Sequence, residues 1–566
     1  MDFVRECLLW LDAAPWRYWT LAWAAFATVA LLALMPARST PPSRWCSTWL
    51  FTAGVLLCLC AWRWPTWFYP LDLNPDEAQI VAGALTLERF HVYWKFVDGT
   101  SHGPLLEYPL VFASWLGAPF NYVSARVVAV LFQACALLAL WRTLRHLTSE
   151  HVARAAILPG LAFWSFVSWD DFSHYSSELP GIFLLAAALW MLASAILGSA
   201  SPGRRRCAVL LCGLLLGLVP YAKLQSAPQA VATAAVAFAA LWLRAPTRRE
   251  ALVDSAWLAT GGVAPTIGVA VFLWAYGLWG QFWASYILSG IAYAEVAAHP
   301  FAQMPGRFFV FSATSPAFAW FFWGGFAFAL LHARPGPATP SQRFSHHCAW
   351  TLLAVGFFCV LRPGRDVAHY LHLLVIPLTA VTGLALAAAV TPGPVQSTGP
   401  LWVRYRVWIW FSVLTLLPQA YDRATSLHRF IGYLREHLEQ PRSEAATFIL
   451  NRTQPGDTMA MWGWEPHLLV ETGLPHGTRE AHTSSQLTPW SMRHFFTVRY
   501  VADMERRRPA WFVDAVGPGA FIYESRPAYA HETVPELARL VATDYDLVGE
   551  LKNLRIYRRK PAEATP

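Results

Sequence analysis

The chain has 566 residues, of which 56% are hydrophobic, 14% are charged and 30 are tryptophan, and its formal net charge is +8 at pH 7. This composition excludes an ordinary soluble globular protein and indicates an integral membrane protein. The positive charge falls in alternate connections between apolar segments, so it does not indicate a nucleic-acid partner.

About twelve apolar segments are long enough to cross a ~30 Å hydrocarbon core as helices. Lysine and arginine cluster in alternate connections, from Arg38 and Arg44 to Arg404 and Arg406. The positive-inside rule places these connections in the cytoplasm and the acidic ones outside. The segments lie at residues 17–36, 46–66, 122–141, 153–169, 179–198, 207–222, 227–243, 256–277, 308–331, 348–361, 371–390 and 403–418.

The stretch LDLNPDEAQI, residues 71–80, comes soon after an apolar segment and has the pattern of a helix start. Asn74 can cap the helix, Pro75 suits its first position, and Glu77 stands three residues after the cap, as in a capping box. Asp76 also complements the positive end of the helix dipole. Capping alone explains these acidic residues, and this explanation stays open beside a catalytic one.

The first outer loop, residues 67–121, continues with two predicted helices, NPDEAQIVAGALTLERF and GPLLEYPLVFASWLG. Both are expected to lie along the outer membrane surface, and the second is too short to span. His102 and Glu107 flank the second helix. A neighbouring side chain is expected to satisfy each of them.

Further charged residues stand at the outer ends of later segments. Lysine and arginine there run against the positive-inside rule, and an anionic ligand headgroup explains them, although a snorkelling side chain also explains Lys223. The acidic residues of WDDFSHYSSELP are explained equally by a solvated turn. These outer residues are Asp170, Asp171, Lys223, Arg362, Arg365, His369 and Tyr370.

From residue 419 the sequence changes to a mixed-polarity segment, which the order of the spans places outside the cytoplasm. Helix and strand patterns alternate in it, from TMAMWGW to LRIYRRK, which predicts an α/β domain with a largely parallel sheet. It opens with a predicted amphipathic helix, SLHRFIGYLREHLEQ. Trp462 and Trp464 are explained either by stacking on a sugar or by core packing.

Four patterns follow one another in an order and spacing that resembles the GT-C glycosyltransferases, in the branch of protein O-mannosyltransferases and lipid A aminoarabinose transferases. They are NPDEAQ at 74–79, HGPLLEYP at 102–109, GLVPYAKLQSAP at 217–228 and RDVAHYLHLLVIPL at 365–378, and the resemblance covers about residues 46–390. It implies a polytopic α-helical membrane protein of about twelve transmembrane helices. The expected domains are an extra helix and cytoplasmic loop at 1–45, a transmembrane catalytic domain at 46–418 and an extracytoplasmic α/β domain at 419–566.

The resemblance also implies a reaction at the outer face of the bacterial inner membrane. A hexosyl or pentosyl group would pass, with inversion, from a polyprenyl-phosphate-linked sugar donor to a hydroxyl of a lipid-, protein- or glycan-linked acceptor. Asp76 would be the general base, Glu77 would orient it, and Lys223, Arg365 and Arg362 would bind the donor phosphate. The residues expected in the substrate cavity are Asp171, Asp170, His102, Glu107, His369 and Tyr370.

Cofactors and alternative functions stay open. Some relatives hold a divalent cation near the first outer loop, and His102, Glu107 and Asp171 are candidate ligands, but no spacing demands a metal, so it stays unknown. The nine cysteines show no zinc-site spacing. The alternatives are a secondary transporter, a non-catalytic membrane scaffold, and a glycan polymerase or ligase of another GT-C branch. A transporter would show repeats and charges at mid-membrane, which the sequence lacks.

Overall fold

The computed structural model describes residues 2–34, 41–198, 201–296, 300–332, 340–390, 401–426, 431–434 and 442–561. Its residues form two compact units. The first, here called the membrane unit, contains Met1–Phe68, Ala129–Phe272 and Ala297–Arg435. The second, here called the α/β unit, contains Tyr69–Val128, Leu273–Val296 and Glu436–Pro566.

Helices make up most of the described chain. Short stretches of 3₁₀-helix occur at Leu224–Ser226, Phe301–Gln303, Ala368–Leu374 and His531–Thr533, and π-helical stretches at Trp283–Leu288 and Ser412–Leu416. In chain order the α-helices are α1 Asp2–Asp12, α2 Pro15–Leu34, α3 Pro41–Trp67, α4 Pro75–Phe90, α5 Tyr108–Trp115, α6 Tyr122–Arg145, α7 Glu150–Ala156, α8 Leu158–Phe166, α9 Asp170–Ser173, α10 Leu179–Leu197, α11 Pro202–Ala222, α12 Ala227–Arg244, α13 Arg248–Tyr276, α14 Trp279–Phe282, α15 Ser289–Val296, α16 Met304–Ala313, α17 Pro316–His332, α18 Pro340–Leu361, α19 Val375–Val390, α20 Leu401–Phe411, α21 Leu417–Thr425, α22 Glu444–Leu450, α23 His467–Thr472, α24 Ser484–Leu487, α25 Arg493–Arg507, α26 Arg526–Tyr529 and α27 Pro535–Asp544.

Eight helices within these described ranges are long and apolar enough to cross a membrane, and the protein is a multi-pass membrane protein. The predicted count of about twelve is not confirmed. Two predicted segments are interrupted where a proline, Pro159 in α8 or Pro316 in α17, starts a new helix, because proline lacks the N–H that would continue the previous one. A third, 403–418, runs through α20 and a π-helical stretch into α21, which begins at Leu417. The fourth, 46–66, lies in α3, which contains Arg63 and is not among the eight.

The α/β unit holds a four-stranded sheet of order β1-β2-β4-β3, built from Met459–Gly463, Trp511–Ala515, Tyr545–Leu551 and Leu554–Arg559 in chain order. Strands β1 and β2 are parallel, but β2–β4 and β3–β4 are antiparallel. The predicted largely parallel sheet is therefore wrong. The two-residue connection at Lys552 and Asn553, with Lys552 at φ 54°, leaves room only for a hairpin between the last two strands.

Both faces of the sheet are covered. Along β1, Met459 and Met461 contribute to one apolar cluster, and Ala460 and Trp462 contribute to the other. Ala82 of α4 belongs to the first of these clusters. The first outer loop is thus part of the α/β unit, whereas the sequence assigned it to the transmembrane domain. The predicted helix SLHRFIGYLREHLEQ lies largely outside the described residues.

Candidate active site

The start of α4 carries the first group of predicted site residues. Asn74 has extended backbone angles, φ −153° and ψ 138°, and its Oδ1 accepts a hydrogen bond from the Asp76 N–H at 2.9 Å. Pro75 takes the first helical position. The predicted cap and helix start are therefore confirmed. Asp76 lies half-buried in the first turn, where the helix dipole favours a carboxylate.

Glu77, which the sequence predicts to form a capping box with Asn74, pairs with Arg126. Its Oε2 accepts from the Leu73 N–H at 3.2 Å and lies 2.7 Å from Arg126 Nη2, and its Oε1 lies 3.0 Å from Arg126 Nε. Both side chains are fully buried. Arg126 donates further to the carbonyls of Tyr69 at 2.7 Å and Leu71 at 2.6 Å. The pair therefore fastens the chain segment that leads into α4.

Arg126 is a site residue that sequence analysis missed. It stands in an apolar helix, and its partner is 49 residues away in the sequence. A single arginine near the outer end of a membrane helix was the only available signal. The predicted role of Glu77, to orient Asp76, stays a prediction, and its oxygens are engaged by Arg126.

Gln79 lies one turn after Asp76 on α4 and contacts the C-terminal region of the chain. Its Oε1 is 3.0 Å from Nε2 of His482. The Ser484 N–H donates to His482 Nδ1 at 3.3 Å, so Nδ1 is the acceptor and Nε2 carries the proton that His482 donates to Gln79. The indole of Trp464 stacks on the imidazole, with ring centroids 4.5 Å apart and planes at 15°.

His482 is neutral at physiological pH. Burial lowers its pKa to about 4, the charge of Asp76 raises it, and the charge of His102 lowers it. The loss of hydration on burial lowers the pKa of His482 by more than the negative charge of Asp76 raises it. His482 was not predicted as a site residue, because 403 residues separate it from Gln79. The structure thus assembles Asp76, Gln79, His102 and His482 in one region of the α/β unit.

His102 and Glu107 satisfy each other, as the sequence led us to expect of a neighbour. Their Nε2 and Oε1 atoms lie 2.9 Å apart, and both side chains are buried. A Cβ on Gly83 of α4 would lie 3.1 Å from Glu107 Cγ, so glycine permits this close approach. Glu107 Oε2 is buried without a hydrogen-bond partner among the described residues.

A metal site is not built from these two residues in the described chain. The group there with three potential ligand atoms within 4.8 Å of one another is Asp514, His531 and Glu532. The His531 N–H and Nδ1 already contact Asp514 Oδ2, and Arg555 pairs with Glu532, so protein groups occupy these ligand atoms. A divalent cation at His102, Glu107 and Asp171 stays a prediction.

A second cluster lies in the membrane unit, around Glu178 at the start of α10. Lys223 Nζ donates to Glu178 Oε1 and, at 2.6 Å, to Ser177 Oγ. The Ser176 hydroxyl donates to Glu178 Oε2, and Lys223 Nζ lies 4.6 Å from the ring centre of Tyr370. Burial raises the pKa of Glu178, but the charges of Lys223 and His369 lower it by a larger amount, so the resulting pKa is about 2. Glu178 is therefore ionised and neutralises Lys223.

The predicted residues Asp171 and His369 belong to the same cluster. His369 Nδ1 lies 3.6 Å from Asp171 Oδ1, and its ring meets the edge of the His174 ring at 5.4 Å. His174 Nδ1 lies 3.0 Å from the carbonyl of Asp170. A fifth of the Asp171 side chain is exposed, so the carboxylate reaches the surface of the unit.

Arg362 and Arg365 lie half-buried in the turn between α18 and the 3₁₀-helix that begins at Ala368. Arg307 of α16 braces this turn, because its Nη2 donates to Asp366 Oδ1 at 2.8 Å and to the Gly364 carbonyl at 3.3 Å. Arg307 was not predicted as a site residue. The membrane unit thus brings Lys223, Tyr370, His369 and Asp171 together with Glu178.

Comparison with protein-family models and with curated proteins gives no match. Solved structures do match. ArnT from Cupriavidus metallidurans, bound to undecaprenyl phosphate, has 14% sequence identity and a TM-score of 0.53, with 91% of this chain and 99% of that chain covered. The apo state of the same protein gives a TM-score of 0.50 at 14% identity, with 90% and 99% covered. The oligosaccharyltransferase of Archaeoglobus fulgidus, with zinc and sulfate, gives 0.43 at 13% identity, with 82% and 68% covered.

The match to ArnT extends over nearly the full length of both chains. The chain therefore has the GT-C fold: a polytopic helical membrane protein with a small C-terminal sheet of four strands.

Proposed function

We propose that this protein is a membrane glycosyltransferase that moves a sugar from a polyprenyl-phosphate donor to an acceptor hydroxyl on the outer face of the membrane. The observation that carries the proposal is the full-length fold likeness to ArnT, a protein solved with undecaprenyl phosphate bound. The acidic start of α4 and the cluster of charged and aromatic residues around Lys223 supply the groups that such a reaction needs. A transporter is not favoured by this fold likeness.

The proposed chemistry is a single displacement with inversion. The acceptor oxygen forms a bond to the anomeric carbon, the bond from that carbon to the phosphate oxygen breaks, and the polyprenyl phosphate leaves with the electron pair. Asp76 takes the proton of the acceptor hydroxyl. Arg365, Arg362 and Lys223 balance the negative charge that grows on the leaving phosphate.

The contacts of Asp76 support its role as the base. Its backbone is fixed by the Asn74 cap, and the segment leading into α4 is fastened by the pair of Glu77 and Arg126. A catalytic carboxylate whose orientation is already fixed loses little conformational entropy when the acceptor binds. Glu77 acts in this scheme as a positioning residue, through the backbone it fastens.

Lys223 acts in this scheme together with Glu178. Because Glu178 neutralises Lys223 in the described structure, a donor phosphate must share the lysine with this carboxylate. Arg362 and Arg365 add further positive charge on that side of the membrane unit. Asp171, Asp170, His369 and Tyr370 then contact the sugar or the acceptor, as His102 and Glu107 do in the first outer loop.

The finer parts of the proposal are the sugar and the compartment. We propose a hexosyl or pentosyl donor, a lipid-, protein- or glycan-linked acceptor, and the inner (plasma) membrane with the α/β unit on the periplasmic side. The test is to purify the full chain and supply a panel of polyprenyl-phosphate sugars, with mass detection of the released polyprenyl phosphate. Release that depends on an added acceptor supports the proposal, and no release from any donor of the panel contradicts it.

A further inference from the structure

The membrane unit contains an apolar cavity of about 600 Å³ that the proposed reaction does not use. Five helices line it: α6, α10, α12, α18 and α19. Pockets that bind small molecules in proteins have volumes of roughly 300–1,000 Å³. The cavity is thus large enough for an elongated ligand rather than for a few solvent molecules.

The cavity lies at the helix ends remote from Glu178 and Lys223. Glu178 immediately precedes α10, and the cavity reaches Leu197 at the other end of that helix. At a rise of about 1.5 Å per residue, the lining residues Leu189 and Leu197 lie roughly 16 Å and 28 Å along the helix from Glu178. Lys223 likewise precedes α12, whose last residue, Arg244, lines the cavity.

A smaller void continues from the cavity toward the outer ends of the helices, along Leu189 and Ala380 to Ile182 and Leu373. Its volume is only about 30 Å³. A space of this size holds about one or two water molecules and does not admit a hydrocarbon chain. This void is therefore too narrow to extend the large cavity as a path for a lipid tail.

The chemistry of the lining selects an aliphatic ligand. Thr143 turns its hydroxyl to the Ala139 carbonyl at 3.0 Å, within its own helix, so it offers the cavity little polarity. Most of the other lining residues are leucine, alanine, isoleucine and valine. Apolar cavities of this kind do not hold water and instead bind apolar molecules.

The mouth of the cavity is positively charged. Arg244 is the one charged residue in the described lining, and its side chain is exposed. Beside the cavity, burial lowers the pKa of His146, and the charges of Arg145 and Arg142 lower it further. By the positive-inside rule these helix ends face the cytoplasm, where anionic lipids attract arginine.

We infer that this cavity is a lipid-binding site that holds an acyl chain of an anionic phospholipid, with the phosphate headgroup at Arg244. The inference does not rest on the proposed glycosyl transfer. The acyl chain fills the space between the five helices and restores the dispersion contacts that a void would forfeit. Arg244 discriminates an anionic headgroup from a zwitterionic one.

The test measures phosphatidylglycerol binding to the full chain in detergent by native mass spectrometry. Ala240 is a buried lining residue of α12, and Ala240→Phe places a ring in the cavity. Val231→Phe, on the exposed face of the same helix, is the matched control. We expect Ala240→Phe to weaken binding by about tenfold or more, because each displaced methylene group weakens binding several-fold. Val231→Phe should stay within about twofold.

The headgroup is tested with Arg244→Gln, and Arg248→Gln is the control at the exposed start of α13. Arg244→Gln should weaken phosphatidylglycerol about fivefold and leave phosphatidylcholine unchanged, since one cation near an anionic surface contributes about that factor. Arg248→Gln should change neither lipid. Monodispersity in size-exclusion chromatography confirms that each variant is folded.

Three results would overturn the inference. The first is equal loss of binding in Ala240→Phe and Val231→Phe. The second is unaltered preference for phosphatidylglycerol in Arg244→Gln. The third is stoichiometric displacement of phosphatidylglycerol by a polyprenyl phosphate, which would assign the cavity to the tail of that lipid.

Discussion

Arg126 Nη2 lies 2.7 Å from Glu77 Oε2, and both side chains are fully buried in the α/β unit. The Arg126 guanidinium donates hydrogen bonds to four acceptors: both carboxylate oxygens of Glu77 and the carbonyls of Tyr69 and Leu71. Removing one partner of such a pair leaves a buried charge uncompensated, which is more costly than the pair is stabilising. The pair therefore determines the stability of the segment that carries Asp76.

The first prediction is that Arg126→Met lowers the free energy of unfolding by about 3–5 kcal/mol, because Glu77 is left buried and unpaired. Arg145→Met, at the other end of α6, removes an arginine that pairs with the partly exposed Glu150. It should cost less than Arg126→Met, because Arg154 Nε still lies 2.7 Å from Glu150 Oε1 and compensates this carboxylate. Thermal unfolding in detergent compares the two. Equal shifts of Tm in the two variants would show that the pair of Arg126 and Glu77 contributes no more to stability than the pair of Arg145 and Glu150.

The second prediction separates a structural Lys223 from one that binds the donor. Lys223→Met strands the buried Glu178, so it should lower Tm and donor binding together. The double variant Lys223→Met with Glu178→Gln removes both charges and should recover most of the lost Tm. Donor binding should stay about tenfold or more below wild type, since a charge-assisted contact to phosphate is worth about 1.5–3 kcal/mol. Recovery of both properties would limit Lys223 to a structural role.

The third prediction concerns pH. The pKa of His482 is lowered in the folded protein from 6.5 to about 4, so the unfolded chain binds the proton more readily. This group contributes stability that is fully present above pH 6.5 and is lost as the pH falls from 6.5 toward 4. His482→Gln keeps a donor for Gln79 but does not titrate. The difference in Tm between wild type and variant should change across this window and be constant above it. A constant difference at every pH would contradict the prediction.

The fourth prediction is that His482 positions the region around Asp76 through Gln79. His482→Ala removes the hydrogen bond to Gln79 and should lower turnover by roughly tenfold, the factor that corresponds to one hydrogen bond of about 1 kcal/mol or slightly more. His482→Gln should restore part of that loss. If both variants lose turnover equally, the imidazole does more than donate a hydrogen bond to Gln79. If neither variant loses turnover, the contact between His482 and Gln79 is only structural.

Local patterns in the sequence predicted what depends on neighbouring residues. Asn74, Pro75 and Asp76 stand within three positions of one another, so the cap and the start of α4 follow from the sequence alone. The strands TMAMWGW and LRIYRRK are likewise confirmed.

Contacts between distant residues could not be predicted in this way. Lys223 and Glu178 are 45 residues apart, and Gln79 and His482 are 403 apart, and no periodicity links such positions. The number of spans stays unconfirmed for a local reason, because the apolar pattern continues across Pro159 and Pro316, where a new helix starts. The antiparallel closing hairpin was missed because alternating helix and strand patterns imply parallel strands only when a helix joins them.

Turnover of purified Asp76→Asn tests the central claim most directly. The amide keeps the size of the carboxylate, the Asn74 cap and the helix, but it cannot accept the proton of the acceptor hydroxyl. We predict a fall in turnover of about 10²–10⁴-fold with Tm and donor binding retained. Glu88→Gln, at an exposed acidic position of the same helix, is the matched control and should turn over normally. Near-wild-type turnover in folded Asp76→Asn would contradict the account and leave Asp76 as a helix-start residue.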